Sequence, residues 1–374
     1  MSSGSLLRIR EMVRKEFRQL LRDRRTRAVI FVSPLLQLLM FGYAVNTDIR
    51  DTATFVVDLD ATAASRRLVD AFVATGYFEV VGRSDRPADL VRALDHGHAL
   101  IGIEIPRGFA RDLTGGGAAV QVIVDGTESN SATIAQGYAS RIVRRFALEQ
   151  AAAVGALPSG GVDLRARAWY NPNLESRAYN VPAVIGVLIM LMCLLLTALA
   201  VVRERELGTL DQLMVSPLTP GELMISKTLP VAVIALFDLA AVSLLAIVWF
   251  RIPMQGSPLV LLPAALLYIL GGLAVGLLIS TVSRTQQEAF MSMFLFFQPS
   301  IILSGFFYPI DSMPRFFRWV TLGNPVRHFL EVVRAVFLKG AGFIDLWPQY
   351  LGLALLAGAV LWLAVIRFPR TMAG

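Results

Sequence analysis

The sequence predicts an α-helical polytopic membrane protein: six transmembrane helices, a re-entrant hairpin before the last, and an inserted extracytoplasmic α/β domain. Three observations lead there. Hydrophobic residues make up 55% of the chain and charged residues only 17%, against about 25% charged in an ordinary soluble domain. The apolar residues gather in blocks close to the about 20 residues that cross a bilayer as a helix. One stretch, residues 46–178, has soluble composition instead, with short apolar runs alternating with helical patterns.

Residues 1–27 form the first element. Leu6, Ile9, Val13, Phe17 and Leu20 recur at three- and four-residue steps, the stripe of an amphipathic helix. Arg8, Arg14, Lys15, Arg18, Arg22, Arg24 and Arg25 occupy its other face. A basic amphipathic helix beside a span lies flat on the inner leaflet, so membrane lipid is an expected partner. A solvated helix or a nucleic-acid contact is the weaker reading, because a span follows at once. That first span is 28–45, with Pro34 placed to kink it.

Within 46–178, strands are expected at 53–57, 78–81, 99–105 and 120–124, and helices at 65–74, 85–95 and 129–150. About 130 residues suffice for a core of their own. The single cysteine, Cys193, allows no intramolecular disulfide. The N-terminal sequence has no uninterrupted apolar run, so no cleavable signal peptide is expected.

Residues 179–374 hold five further apolar blocks, at 181–202, 229–250, 259–282, 289–303 and 350–366. The gap at 304–349 is only moderately apolar, and Pro309, Pro314, Gly323, Pro325 and Gly340 break it into short pieces. It is expected to form one or two short helices dipping into the membrane from the far side, their backbone buried by protein or wetted by a cavity.

Six spans put both termini on one side. Nine basic residues lie in the first 27, and the proposed inner loops and tail add Arg203, Arg205, Lys227, Arg284, Arg367 and Arg370. The positive-inside rule therefore places both termini in the cytoplasm and the α/β domain outside. Arg315, Arg318, Arg327, Arg334 and Lys339 in 304–349 run against the rule; snorkelling from a re-entrant hairpin would reconcile them.

Several chemistries are excluded. A phosphate loop needs glycines ahead of a Lys-Ser/Thr pair, and Lys227-Thr228 follows PGELMIS, with no glycine beside the lysine. His96-Gly97-His98 has no cysteine nearby and reads as surface residues rather than a metal site. Asp58-Leu59-Asp60 resembles the paired acids of sugar-nucleotide enzymes but reads as a turn at a strand end. No catalytic, cofactor-binding or metal-binding residue is expected in this chain.

Two features do point to function. Residues 203–227 read RERELGTLDQLMVSPLTPGELMISK, with Leu207, Leu210, Leu213 and Met214 at helical spacing and Pro217 and Pro220 ending the helix. A short helix of this kind seats its leucines in a groove on a partner; Glu204 and Glu206 make it a poorer lipid anchor. Asp238 lies mid-span in AVIALFDLAAVSL, where a carboxylate is functional by default. A pathway role and helix–helix hydrogen bonding stand equal for it. Gln298 joins Asp238 as a path candidate, though it reads more as packing glue. Gly272 and Gly276 make a small-residue face for close helix packing.

Residues 203–217 (RERELGTLDQLMVSP), followed by Pro220, Glu222 and Lys227, resemble the signature loop of bacterial type-2 ABC-transporter permeases. Residues 303–314 (LSGFFYPIDSMP), Asn324-Pro325 and residues 334–340 (RAVFLKG) are similar to the same family's far-side hairpin. The insert after the first span matches the subgroup with a large periplasmic domain.

The resemblance implies a permease subunit of an ABC exporter in the bacterial inner membrane. Two permease halves, identical or related, pair along a central path. Two separate cytoplasmic ATPase subunits dock below and bind the ATP and Mg. The loop helix 206–216 becomes the coupling helix, with Glu204, Glu206, Leu207, Gly208, Thr209, Leu210, Leu213, Met214 and Pro217 as ATPase-coupling residues. Residues 6–27 become the interface helix, with Phe17, Arg18 and Arg22. Ser304, Gly305, Pro309, Pro314, Asn324 and Pro325 form the re-entrant hairpin. Members with a periplasmic insert resemble exporters of drugs or hydrophobic compounds, thought to work with a periplasmic adaptor and an outer-membrane channel. Two alternatives stand beside this one. A receptor with an outer sensor domain needs a cytoplasmic output partner. An ion-coupled carrier using Asp238 ordinarily shows internal repeats, which the two halves lack.

Overall fold

The computed structural model describes residues 3–44, 51–114, 117–153, 176–209 and 218–372. The chain divides into two compact units, Met1–Asn46 with Ala168–Gly374, and Thr47–Arg167.

The first unit is helical. It begins with α1 (Ser3–Arg22) and α2 (Arg24–Arg27), then a π-helical turn (Ala28–Val32) leading into α3 (Ser33–Ala44). The wide turn has a local cause. Pro34 cannot donate a backbone hydrogen bond and crowds the carbonyl four residues back. The Ser33 amide bonds instead to the Ala28 carbonyl, five residues back.

After the second unit come α8 (Ser176–Glu206), α9 (Pro220–Val248), α10 (Pro258–Val282), α11 (Gln286–Ile302), α12 (Arg315–Val320), α13 (Pro325–Arg334) and α14 (Trp347–Met372). Among the described residues four helices are long and apolar enough to cross a membrane: α8, α9, α10 and the Trp347–Phe368 part of α14. The other two expected spans are shorter. Ala28–Ala44 is a short apolar helix, and α11 has 17 residues, ending just past Pro299. Residues 304–349 contain α12 and α13, with 3₁₀ turns at Ile310–Ser312 and Thr321–Gly323 and a π-helical turn at Ala335–Lys339.

α8 is the hub. Its apolar window is 72% buried, against 22% for α14, which fits a helix that is apolar all round. It packs against α3, α9, α10, α11 and α13. Close approach depends on glycine. A Cβ on Gly272 would lie 3.0 Å from the Cβ of Cys193, and one on Gly276 would lie 2.8 Å from that of Thr197. The small-residue face of α10 thus meets α8. Tyr268 of α10 stacks on Phe329 of α13 at 4.1 Å and donates its hydroxyl to the Gly186 carbonyl of α8 at 2.9 Å.

The second unit is a four-stranded sheet in the order β2-β1-β3-β4. β1 (Thr52–Asp58) pairs parallel with β2 (Phe78–Ser84) and β3 (Ile101–Ile105); β4 (Gln121–Val124) runs antiparallel to β3. Helices α4 (Ala63–Val73), α5 (Pro87–Asp95), α6 (Phe109–Thr114) and α7 (Ser129–Ala153) complete it. Val56, Leu68, Phe72, Phe78, Ile103 and Phe146 belong to its core.

Asp58 and Asp60 close the end of β1. Asp58 accepts the Asp60 and Ala61 amides at 3.1 and 2.9 Å and the Ser65 hydroxyl at 2.6 Å. Asp60 accepts the Gly108 and Ala110 amides at 2.9 and 3.1 Å. Burial pushes the Asp60 carboxyl up, but hydrogen bonds from Thr62, Ala110, Gly108 and Phe109 outweigh it and hold the group below the usual carboxylate range.

Candidate functional site

The ends of loop 203–227 meet α1 in a buried ion cluster. Lys227, on the third turn of α9, is 3% exposed; Glu16 of α1 and Glu204 of α8 are each 5% exposed. The Lys227 ammonium lies 2.8 Å from Glu16 and 2.9 Å from Glu204. Lys15, half exposed at 47%, reaches Glu204 at 3.4 Å and Glu16 at 3.7 Å. Two ammonium groups thus balance two carboxylates, which is what makes their burial tolerable. Glu204 also accepts a hydrogen bond from the Thr209 hydroxyl, folding the start of the loop back onto α8.

The start of α9 is fixed by local sequence. Thr219 and Glu222 form a capping box, and Pro220 stands at the first helical position. Glu222 accepts two bonds from Arg8 of α1, 2.7 Å from Nη2 and 3.3 Å from Nε. Behind these polar contacts lies a small apolar core of Met12, Val201, Leu223, Met224, Leu277, Ala364 and Phe368. Three sequence-distant segments are thereby held together by charge and by packing.

The expected site residues divide accordingly. Glu204 is in the cluster. Glu206 turns instead toward Gln286, at the start of α11. Gly208 ends α8 in a left-handed conformation, φ +68°, the usual role of glycine at a helix C-terminus. Leu207 is 64% exposed. Leu210, Leu213, Met214 and Pro217 lie outside the described residues. On α1, Phe17 packs against the main core, while Arg18 and Arg22 line a shallow groove of about 400 Å³ with Gln19 and Asp23.

The stripe expected on α1 is met in part. Ile9 is buried and Phe17 and Leu20 pack against the main core, but Leu6 is 58% exposed, and Ser5, Met12 and Glu16, outside the stripe, are buried. The helix is rolled so that a carboxylate faces inward, because Lys227 waits there for it. Neither Glu16 nor Lys227 emerged from helical periodicity, which assigns charged residues to the outer face. One signal was available: the chain has 32 arginines but only three lysines, and two of those three meet in this cluster. An ammonium is a compact charge with three donors, suited to sit between two carboxylates.

Within 304–349 the structure shows local caps and turns and two longer-range contacts. Ser304 is 1% exposed and its hydroxyl accepts the Phe306 amide at 3.1 Å. Gly305 has φ +82°. Pro309 and Pro314 precede the Ile310–Ser312 turn and α12. Asn324 caps α13, with Pro325 at its first position, and donates its side-chain amide to the Ser300 carbonyl of α11 at 2.6 Å. Arg334 folds against the protein. It donates to the Gly305 carbonyl at 3.0 Å and lies 3.8 Å over the Tyr179 ring, an inward-folded cation–π contact.

Asp238 and Gln298 are not alike. Asp238 is 2% exposed, with one carboxylate oxygen lacking a hydrogen-bond partner among the described residues. Gln298 lies on an exposed face of α11, in an apolar groove of about 640 Å³ with Phe290, Met291, Phe294 and Leu295.

Four long apolar helices, one of them the buried hub α8, with a charged loop pinned at one end, define a polytopic helical membrane protein. Residues 24–366 match the family model described as ABC-2 family transporter protein. The chain is 35% identical over 341 residues to the probable multidrug ABC transporter permease YbhR of Escherichia coli strain K12, covering 91% of this chain and 92% of that one. It is 31% identical over 336 residues to the probable multidrug ABC transporter permease YbhS of the same strain, covering 89% of each. It is 30% identical over 374 residues to the inner membrane transport permease YhhJ, covering 96% of each. The chain belongs to the ABC-2 transporter family and is an ABC-2 type permease.

Proposed function

We propose that this chain is the membrane subunit of an ATP-driven exporter that moves a hydrophobic or amphipathic compound, drug-like or lipid-like, out across the bacterial inner membrane. ATP and Mg are bound by a separate ATPase subunit, and a second permease subunit, identical or related, completes the path. Loop 203–227 and α1 face the cytoplasm with both termini; the sheet-bearing unit lies outside. Six helices cross the membrane, and 304–349 is re-entrant. A periplasmic adaptor and an outer-membrane channel extend the route. The names of YbhR and YbhS support a drug-like cargo.

The observation that carries this reading is the Glu16–Lys227–Glu204 cluster. It ties both ends of the loop to one helix, so a force on the loop moves α1, α8 and α9 as one body rather than bending the loop. ATP closes the ATPase pair, the loop is pushed, and the two permease halves tilt. The bias comes from unequal affinity of the loop for the two ATPase states.

The test is co-purification. Wild-type permease carries an ATPase through purification, and Leu210→Asp loses it. A wild-type chain that transports with no ATPase present overturns the proposal. The unpartnered oxygen of Asp238 favours one rival, an ion-coupled carrier. That rival wins if Asp238→Asn abolishes transport while removal of the ATPase does not.

A further inference from the structure

The last turn of α8 ends in two residues of opposite charge, and each grips the end of a different helix. Arg205 donates from Nη1 to the Ser283 carbonyl at 2.7 Å; Ser283 caps the C-terminus of α10. Glu206 accepts the backbone amide of Gln286 at 2.7 Å and also its side-chain amide; Gln286 is the first residue of α11. Only residues 283–285 separate the two helices.

The signs match the chemistry of the helix ends. A helix C-terminus exposes unpaired carbonyls and carries partial negative charge; an N-terminus exposes unpaired amides and carries partial positive charge. Thr285 takes the Glu288 amide of α11 at 3.2 Å, leaving the Gln286 amide for Glu206. Holding the main chain and the side chain of one residue fixes both the position and the rotation of the start of α11.

We infer that Arg205 and Glu206 are positioning residues that make α11 travel with loop 203–227. This rests on the loop being the part of the permease that receives the ATPase stroke. A push on the loop displaces the end of α8, and the clasp passes that displacement to the α10–α11 turn. α11 carries the exposed face of Phe290, Met291, Phe294, Leu295 and Gln298, so that face is steered from the loop. The device is separate from the Lys227 cluster, which ties α8 and α9 to α1.

The experiment uses the complex purified with its ATPase and a cysteine introduced at Leu295, which is 78% exposed. The native Cys193 is 1% exposed and gives little background. The reaction rate with a maleimide is measured with and without ATP plus vanadate, and trapped nucleotide is counted in the same sample. In the parent the rate changes on trapping. In Arg205→Ala with Glu206→Ala, the change measured per trapped nucleotide is lost. Arg205→Lys with Glu206→Gln, which keeps a donor and an acceptor, restores it. The charge-swapped pair, Arg205→Glu with Glu206→Arg, loses it too and serves if the alanine pair does not fold. A change that persists in both disrupted pairs overturns the inference, as does its absence in the parent. Loss of ATPase binding in the disrupted pairs overturns it as well, since the residues would then belong to the docking surface. Failure of the parent to carry an ATPase is a different result and counts against the coupling role of the loop itself.

Discussion

At the scale of single residues, Lys227 is the position on which most depends. It is nearly enclosed between Glu16 and Glu204. Lys15 is half exposed and stands farther from Glu16, at 3.7 Å, so it cannot replace the buried ammonium. Lys227→Met leaves two carboxylates facing each other with little counter-charge. Breaking a buried pair by removing one partner costs about 3–5 kcal/mol, whereas replacing all members with neutral groups of similar size is often close to neutral. Lys227→Met is therefore expected to lower the thermal midpoint of the detergent-solubilised chain clearly. The triple change Lys227→Met, Glu16→Gln, Glu204→Gln is expected to recover most of the loss. Thermal unfolding followed by circular dichroism decides it. A triple variant no better than Lys227→Met would show that shape rather than charge holds the three segments together.

At the scale of elements, the backbone pattern was more legible than the faces. Strands expected at 53–57 and 78–81 are present as Thr52–Asp58 and Phe78–Ser84, because β-branched and aromatic runs bounded by turn residues leave few alternatives. α6, Phe109–Thr114, escaped notice: it is six residues long, and its N-terminal amides are held by Asp60 from 48 and 50 residues away. The roll of α1 was equally hidden, since it is set by a lysine 211 residues distant. The glycine face of α10 could be read locally, and the distances to α8 give it a measurable consequence. Gly276→Leu has no room beside Thr197, so α10 must shift off α8, at about 1–3 kcal/mol for an overpacked site. Gly358 of α14 has no atom within 4 Å of an added Cβ, and Gly358→Leu serves as the control. Thermal unfolding of the two variants side by side is expected to show a loss only at Gly276.

At the scale of the whole molecule, the helical unit has to be oriented in the membrane. Hydropathy finds apolar blocks regardless of direction, so the direction has to come from charge. Nine basic residues in the first 27 outweigh the five in 304–349. Of those five, Arg334 is held by the Gly305 carbonyl and the Tyr179 ring. Loop 203–227 shares its end of the bundle with α1 through the Arg8–Glu222 and Lys227–Glu16 pairs, so wherever α1 lies the loop lies too. One labelling experiment therefore orients both. A cysteine at Leu207, 64% exposed, is expected to resist an impermeant maleimide in intact cells and to react once the inner membrane is opened. A cysteine at Val91 of α5, 50% exposed, is expected to react as soon as the outer membrane is permeable. The buried Cys193 allows both to be read over a low background. Reaction of the Leu207 cysteine from outside would place α1 and the loop away from ATP, and no ATPase could then drive this permease through them.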